Sequence, residues 1–281
     1  MANIGATTAF YKVETSLTRA NLEVSKSMER LATGKQNASA GDRSSYVAMA
    51  DTFRLDYVGT KAGIKGASVV MGYLETGMRV LDAASGLVSK IQELAVLAAN
   101  DTNTSADNTA IDAEGEALAD ELDRLLGDAK YKGKDIFVTS STTNAVSIGG
   151  RSASMSFGIT DPTRHGDYAS LYANNQLAAK LSADTTSTGS SLATTKLEDF
   201  QAVLNTARVQ AGSQYAALES AVSYTTDLTA QYELGFNTVS DVNFSMETAH
   251  LAKNQILQQA ATAMLAQANS GQQGLLQLIQ G

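Results

Sequence analysis

Apolar residues recur at alternating three- and four-residue steps near the start of this chain, and this spacing strongly restricts how the chain can fold. The stripe consists of Phe10, Val13, Leu17, Ala20, Val24, Met28 and Leu31. Such steps place the side chains along one side of an α-helix, as in the seam of a coiled coil. A helix with this stripe needs an apolar partner.

The matching stripe lies near the other end of the chain, in a Gln-rich segment with little charge. Its members are Leu257, Ala261, Met264, Leu265 and Ala268. We therefore predict that an N-terminal and a C-terminal helix pack on each other. We also predict that the residues of both stripes carry self-assembly.

Very long helices are permitted because Pro162 is the only proline among 281 residues. Proline removes a helical hydrogen bond and clashes with the preceding turn. We expect Thr33–Gly34 to end the first helix and residues 100–105 to form a loop. Apolar periodicity predicts helices over about residues 10–31, from about residue 46, over 74–98, over 111–125 and, as the longest, over 197–249.

Between residues 130 and 160 the pattern changes from helical to alternating. Val146 and Ile148 precede Gly149–Gly150, and the alternating residues Met155, Phe157 and Ile159 follow it. This arrangement predicts a β-hairpin. Residues 181–196 are dominated by serine and threonine, a composition that buries little surface and predicts an exposed loop.

These patterns together predict a mainly α fold. It is a long coiled-coil helical hairpin with paired N- and C-terminal helices and a small outer segment that contains the β-hairpin. We expect residues 1–45 and 236–281 to form the terminal coiled coil, residues 46–140 and 195–235 an α-helical shaft, and residues 141–194 the outer segment.

Composition excludes several classes of function. The net charge of -8 argues against nucleic acid as a partner, because phosphates require a basic stripe. The absence of cysteine excludes thiolate catalysis and cysteine-based zinc sites. Residues 1–12 lack a basic start followed by an apolar run, and no stretch of about 18 apolar residues occurs. We therefore expect neither a secretory signal peptide nor a membrane span.

Residues that could support catalysis are few. His165 lies in a predicted turn and His250 beside the final helical seam, and both are interpreted as structural residues. Gly34–Lys35 and Gly133–Lys134 lack the other residues of a phosphate-binding loop. The carboxylates between residues 114 and 123 have the pattern of a solvated helix face. We predict no catalytic residue, no cofactor and no metal site.

Long sequence motifs near both ends of the chain are similar to motifs of a single protein family. They are Glu-Arg-Leu-Ala-Thr-Gly at 29–34, Ile-Gln-Glu-Leu-Ala-Val-Leu-Ala-Ala-Asn at 91–100, and Gln-Ile-Leu-Gln-Gln-Ala at 255–260 followed by Leu-Ala-Gln-Ala-Asn at 265–269. Over roughly residues 1–140 and 195–281 the chain resembles bacterial flagellin, in a compact form with a short outer segment.

The resemblance implies a structural subunit, not an enzyme, that self-assembles into the helical flagellar filament used for swimming motility. Residues 1–45 and 236–281 would form the filament core. The resemblance also implies an extracellular location in the bacterial flagellum, reached through the flagellar secretion channel without a cleaved signal peptide. Implied partners are other copies of the chain or other flagellins, hook-associated and filament-cap proteins, and an export chaperone at the C-terminal helix.

Two rival classes remain at this point. A hook–filament junction protein, which is hook-associated, would share the terminal helices but stop polymerising after a limited layer, whereas a flagellin continues. An enzyme carried on a flagellin-like scaffold is disfavoured by the lack of catalytic residues. The length of the homopolymer discriminates between the first rival and a flagellin.

Two further expectations rest on the resemblance. Flagellins present a shaft surface to the innate-immune flagellin receptor, and the matching residues are Lys90, Leu94, Glu114 and Arg208. Lys90, Gln92 and Leu97 replace an arginine, an arginine and a glutamine of the family pattern, so we expect weakened recognition. Flagellins are also often O-glycosylated on outer segments, and the candidate acceptors are Thr185, Thr186, Ser187, Thr188, Ser190 and Ser191. A plain flexible loop is the alternative interpretation of that run.

Overall fold

The chain is mainly α-helical, as its sequence predicts. The structure, a computed structural model, describes residues 8–39, 41–149, 153–173, 176–177, 181 and 189–280. Within them the α-helices are α1 (Thr8–Thr33), α2 (Ser44–Ala98), α3 (Ser105–Gly127), α4 (Gly166–Leu171), α5 (Gly189–Ser240) and α6 (Phe244–Gln280). Contacts divide the chain into two compact units. Unit 1 comprises the residues up to Leu55 and those from Gln231 onward, and unit 2 runs from Asp56 to Ala230.

In unit 1, α1 packs along α6. Helix α1 ends where predicted, because Gly34 takes a left-handed φ of 69° and its N–H donates to the Arg30 carbonyl at 2.8 Å. Glycine has no Cβ to oppose this conformation, which is why it commonly follows the last helical residue. The Thr33–Gly34 stop signal is therefore confirmed.

The prediction of one continuous helix over residues 197–249 is wrong. The helix is interrupted at Asp241–Asn243, between α5 and α6. The chain is extended there because it pairs in an antiparallel bridge with the residues that follow α1. Gln36 N–H donates to the Ser240 carbonyl at 2.7 Å, and Val242 N–H donates to the Gly34 carbonyl at 3.0 Å. Asn243 Oδ1 then accepts from Met246 N–H at 3.1 Å and begins α6.

In unit 2, α2 and α5 run antiparallel. Thr229 donates to Thr60 Oγ1 at 2.8 Å near one end, and Arg208 pairs with Asp82 at 2.8 Å further along. The stripe that was predicted as separate helical stretches belongs to one helix of 55 residues, so α2 exceeds the 52 residues of α5. The largest fully buried side chains from the long helices of this unit are Leu74, Leu81, Ile91, Leu122, Leu197, Phe200, Leu204 and Leu218.

Helix α3 joins this core through Ile111, Ala119 and Leu122. A capping box begins the helix: Asp107 accepts from Thr104 N–H at 2.9 Å, and Asp107 N–H donates to Thr104 Oγ1 at 3.3 Å. The carboxylate also lies near the positive end of the helix dipole. Asp107 therefore caps the beginning of α3.

Short antiparallel strand pairs cover part of unit 2. They are β1 (Lys130–Tyr131) with β2 (Lys134–Asp135), β4 (Asn144–Ser147) with β5 (Ser154–Phe157), and β7 (Tyr172–Ala173) with β8 (Gln176–Leu177). The first turn carries positive φ at both Lys132 and Gly133, as a type I′ turn requires. The glycine at Gly133–Lys134 therefore serves a turn.

The predicted β-hairpin is confirmed as the β4–β5 pair, with Val146 opposite Met155. Ile159 does not extend it, because the β4–β5 ladder ends at the pairing of Asn144 with Phe157. It belongs to β6 (Ile159–Thr160), which pairs in parallel with β3 (Phe137–Val138). Ile159 is fully buried there and belongs to the core of unit 2.

The predicted loop over residues 181–196 is wrong from Gly189 onward, where α5 begins. Leu197 and Phe200 anchor the helix in the core. Each turn added before an anchored turn costs little, since helix extension is easier than nucleation. Packing therefore outweighs the low helix propensity of serine and threonine. Residues 182–188 lie outside the described residues.

Candidate assembly surfaces

The N-terminal stripe lies along the contact with α6 over part of its length. Ala20 and Val24 are buried, and Met28 is 50% exposed. The other predicted members, Phe10, Val13, Leu17 and Leu31, are half-buried. Ser27 is also buried, at 3% exposure. Ser27 was not predicted as a member, although it lies one helical turn after Val24 and continues the seam.

The C-terminal stripe divides between two faces of α6. Ala261 is buried at 3% exposure, and Leu265 and Ala268 are half-buried. Leu257 and Met264 are exposed. The side of α6 that faces inward keeps a regular three- and four-residue step through Glu247, Leu251, Asn254, Gln258, Ala261, Leu265 and Ala268. This inward side and the buried or half-buried stripe of α1 are called the α1–α6 seam below.

Polar groups interrupt the α1–α6 seam. Glu247 is 7% exposed, and its Oε1 lies 3.8 Å from Arg30 Nη1. Gln258 donates through Nε2 to Asn21 Oδ1 at 2.7 Å. These residues were not predicted, because hydropathy marks only the apolar members of a stripe. Their three- and four-residue spacing from apolar members is the signal that could have found them.

Unit 1 leaves many large apolar side chains in solvent. The exposed residues from α6 are Phe244, Met246, Ile256, Leu257 and Met264, and those from the rest of the unit include Tyr11, Leu22, Met28, Tyr46, Met49 and Leu234. Lys253 is the only Lys, Arg, Asp or Glu after Glu247. Helix α6 is therefore apolar on more than the side that meets α1, a property typical of helices covered on several sides.

The residues matched to the receptor pattern lie in unit 2. Lys90 and Glu114 are exposed, and Leu94 is buried at 9% exposure. Arg208 is half-buried; it pairs with Asp82 at 2.8 Å and donates to Asn205 Oδ1 at 3.0 Å. Arg208 is therefore held on the shaft by two partners.

The candidate O-glycosylation run falls only partly within the described residues. Ser190 and Ser191 belong to the first turn of α5. The candidates Thr185, Thr186, Ser187 and Thr188 lie outside the described residues.

Tyrosine hydroxyls in unit 2 donate hydrogen bonds to carboxylates and to backbone carbonyls. The Tyr168 hydroxyl donates to Asp123 Oδ1 at 2.6 Å, and burial followed by this hydrogen bond raises the pKa of Tyr168. Burial, and next the charge of Asp135, raises the pKa of Tyr73 to about 12. Both phenols are protonated at neutral pH and act as hydrogen-bond donors.

An open cavity of about 460 Å³ lies beside the predicted turn residue His165. His165 Nδ1 is 2.8 Å from Asp167, and the cavity is also lined by Asp161 and Asp199. Within the described ranges, no group of three or more His, Cys, Asp or Glu side chains is arranged to hold a metal ion. Among the described helices, none has the length and apolar character that a membrane span needs.

Comparison with known families gives a match for the N-terminal part and for the C-terminal part of the chain. Residues 5–142 match the bacterial flagellin N-terminal helical region, and residues 191–279 match the bacterial flagellin C-terminal helical region. The chain belongs to the flagellin family. The first matched region contains α1, α2 and α3, and the second contains nearly all of α5 and α6, so the paired terminal helices belong to the matched regions.

Curated relatives are similar over nearly the whole chain. The flagellar filament core protein flaB2 of Brachyspira hyodysenteriae is 30% identical over 273 residues, which cover 92% of this chain and 93% of the relative. The flagellar filament 33 kDa core protein of Treponema phagedenis is 27% identical over 278 residues, covering 94% and 95%. The flagellin of Bacillus subtilis (strain 168) is 26% identical over 280 residues, covering 90% and 92%.

A solved structure is also similar to part of the chain. The crystal structure of Bacillus cereus flagellin matches with a TM-score of 0.48 and 23% sequence identity, covering 57% of this chain and 88% of that chain.

Proposed function

We propose that the chain is a structural subunit that self-assembles into the helical bacterial flagellar filament used for swimming. The observation that carries this proposal is the apolar surface of unit 1, where Ile256, Leu257 and Met264 stay exposed although α6 already packs on α1. Two of the relatives are named filament core proteins. None of the relatives named above favours the hook-associated alternative.

The mechanism is assembly and not catalysis. A subunit that contacts its neighbour through two different surfaces forms an open helical polymer when the rotation between copies does not close. Burial of exposed apolar side chains supplies the driving force, at roughly 25 cal/mol per Å². We propose that the predicted self-assembly residues of both stripes have two different roles. The buried ones hold α1 to α6, and the exposed ones contact neighbouring copies or other flagellins.

The proposed location is the extracellular flagellum, after export through the flagellar secretion channel without a cleaved signal peptide. Hook-associated and filament-cap proteins are proposed neighbours at the two ends of the polymer. We propose that an export chaperone covers the C-terminal helix before assembly, because its exposed apolar side chains would otherwise associate prematurely.

Weak recognition by the innate-immune flagellin receptor is a further part of the proposal. Lys90 and Glu114 are accessible for contact, whereas Leu94 is 9% exposed. Lysine at position 90 cannot form the planar two-point contact of arginine. O-glycosylation is proposed for the serine/threonine run at residues 185–191.

Electron microscopy of purified protein after seeded polymerisation tests the proposed function. We expect filaments that continue to micrometre length, on the order of thousands of subunits. An Ile256→Asp variant should leave unpolymerised chains, because it would place a carboxylate in a surface that assembly buries. The neighbouring Gln255→Asp variant is the control, because it adds the same charge at an exposed polar position. Short layers that stop growing would indicate a junction protein, and normal filaments from Ile256→Asp would exclude this face from subunit contacts.

A further inference from the structure

The α1–α6 seam contains an ion pair that a coiled coil does not need for stability. Glu247 is 7% exposed, and Arg30 is half-buried. Their closest atoms, Glu247 Oε1 and Arg30 Nη1, are 3.8 Å apart, which is within ion-pair range but beyond hydrogen-bond reach. Glu247 Oε1 and Arg30 Nε are both buried, and neither has a hydrogen-bond partner among the described residues. Such a pair is costly to desolvate and is often no better than two apolar residues.

The ends of the two helices explain where this pair can form. Arg30 lies in the last turn of α1 and Glu247 in the first turn of α6. Each charge therefore lies at the helix end whose dipole favours it. Arg30 can form an ion pair with Glu247 only when the last turn of α1 meets the first turn of α6. A shift of one heptad would leave both charges without a partner.

A second polar pair lies further along the same seam and agrees with this alignment. Gln258 Nε2 donates to Asn21 Oδ1 at 2.7 Å. Asn21 is exposed and Gln258 is half-buried, so this hydrogen bond contributes little to the free energy of helix pairing. Its main effect is to favour one alignment of the two helices. Buried apolar members of the seam near the pairs are small or medium-sized, such as Ala20, Val24 and Ala261. They would pack almost as well after a shift.

We propose that Arg30–Glu247 and Asn21–Gln258 select α6 as the partner of α1 and fix the register of the two helices. Polar residues at core positions of coiled coils specify register and partner at some cost in stability. The two polar pairs thus exclude shifted pairing and pairing between two copies of α6. These alternatives matter because α6 carries apolar residues on several sides.

Engineered cysteines report the register directly, because the chain contains none. Leu17 and Ala261 lie one turn beyond Asn21 and Gln258, so Leu17→Cys with Ala261→Cys reports the native register. Leu17→Cys with Ala268→Cys reports a shift of one heptad. Ala261→Cys alone reports pairing between two α6 helices as a disulfide-linked dimer. With both polar pairs intact, we expect oxidation to give the intramolecular native disulfide and at least tenfold less of the other two products.

Replacing both polar pairs with apolar residues tests the proposal. With Arg30→Met, Glu247→Leu, Asn21→Leu and Gln258→Leu, we expect the shifted disulfide or the α6 dimer to reach a yield within about twofold of the native disulfide. An undiminished preference for the native register in this variant would overturn the proposal.

Exchanging the charges of Arg30 and Glu247 provides a second test. It applies if circular dichroism shows that the apolar variant does not form helix. Arg30→Glu alone opposes two carboxylates and should lose the native disulfide, and addition of Glu247→Arg should restore it. Equal yields from the single and the double variant would overturn the proposal. Disulfides are read on denaturing gels of the full chain without any filament, so this result is independent of whether the proposed function holds.

Discussion

Gly63 of α2 lies directly under the backbone carbonyl of Ile148, so close that a Cβ at position 63 would overlap the carbonyl oxygen. Ile148 follows β4, which places the end of the β4–β5 hairpin against the long helix. The contact involves backbone and not a flexible side chain, so neither partner can move aside locally. Glycine at this position is therefore a condition for the hairpin to dock on α2.

Gly63→Ala is expected to destabilise unit 2 by about 1–3 kcal/mol, because overpacking displaces the hairpin. Thermal unfolding followed by circular dichroism measures the loss. Gly86→Ala is the matched control in the same helix, because a Cβ there meets nothing within 4 Å. It should raise stability by about 0.5–1 kcal/mol. Equal melting temperatures for the two variants would contradict the close approach.

Ala261→Glu should separate α1 from α6. Ala261 is 3% exposed in the α1–α6 seam, and a buried carboxylate without a partner costs about 3–5 kcal/mol. We expect this variant to lose helical content in unit 1 and to form no filaments. Gln255→Glu adds the same charge at an exposed polar position of α6 and should keep both properties. Normal filaments from Ala261→Glu would refute the seam.

Unit 2 is expected to lose stability at high pH through Tyr73. Its hydroxyl donates to the backbone carbonyls of Asp135 and Ile136, and its pKa is raised from 10.0 to about 12. Because the folded state favours the neutral phenol, this contribution is complete below about pH 10. It is lost as the pH rises through about 12. Melting temperatures measured from pH 8 to pH 12 should therefore fall above pH 10.

The Tyr73→Phe variant identifies the group responsible. At pH 8 it should lower stability by about 1–3 kcal/mol, since the buried carbonyl of Ile136 and the part-buried carbonyl of Asp135 lose their donor. Its melting temperature should then fall less steeply above pH 10 than that of the unsubstituted chain. Tyr224→Phe is the control, because Tyr224 is 68% exposed. An unchanged pH profile in Tyr73→Phe would assign the effect to other tyrosines.

The parts of the fold that depend on local pattern were predictable. Gly34 ends α1 and Asp107 caps α3 because the determining atoms lie within a few residues. The break at Asp241–Asn243 was not predictable in this way, because the apolar stripe continues through it. The bonds that hold it extended come from Gly34 and Gln36, about 200 residues away in sequence.

Within the α1–α6 seam, the sequence indicated the pairing of the two helices but not all of its members. Ser27 and Glu247 are buried, yet their residue types are mostly found on protein surfaces. Burial there follows from position on the helix and not from hydropathy. Leu257 and Met264 illustrate the converse, because α6 has more apolar residues than one seam accommodates. Periodicity alone cannot decide which of them meet α1.

Amide exchange should distinguish the free chain from the polymer. In the described part of α1, only Ala20, Val24 and Ser27 are buried, so α1 gains little from packing within one chain. We expect fast exchange in α1 and after Met246 in the monomer, compared with the buried Leu74–Ile91 part of α2. Assembly should slow exchange in both terminal helices. Strong protection of α1 in the monomer would contradict this expectation.

Recognition by the innate-immune flagellin receptor should be weak and partly recoverable. Lys90 is exposed on α2, so Lys90→Arg can present a planar fork without disturbing the core. Gln92→Arg and Leu97→Gln restore charge and hydrogen-bonding capacity at half-buried and exposed positions of the same helix. We expect the triple variant to stimulate receptor-reporter cells at a concentration roughly tenfold lower than the unsubstituted chain, as about 1.4 kcal/mol of added contact would give.

Lys253→Arg is the matched control, because it makes the same exchange at an exposed position in unit 1. It should leave the reporter response unchanged, since the residues matched to the receptor pattern all lie in unit 2. All variants should be assayed as monomers, with circular dichroism to show that α2 stays helical. If the unsubstituted chain already stimulated the cells as strongly as a flagellin with the full arginine-containing pattern, residues 90–97 would not limit recognition. In that case, receptor binding would depend on contacts outside these positions.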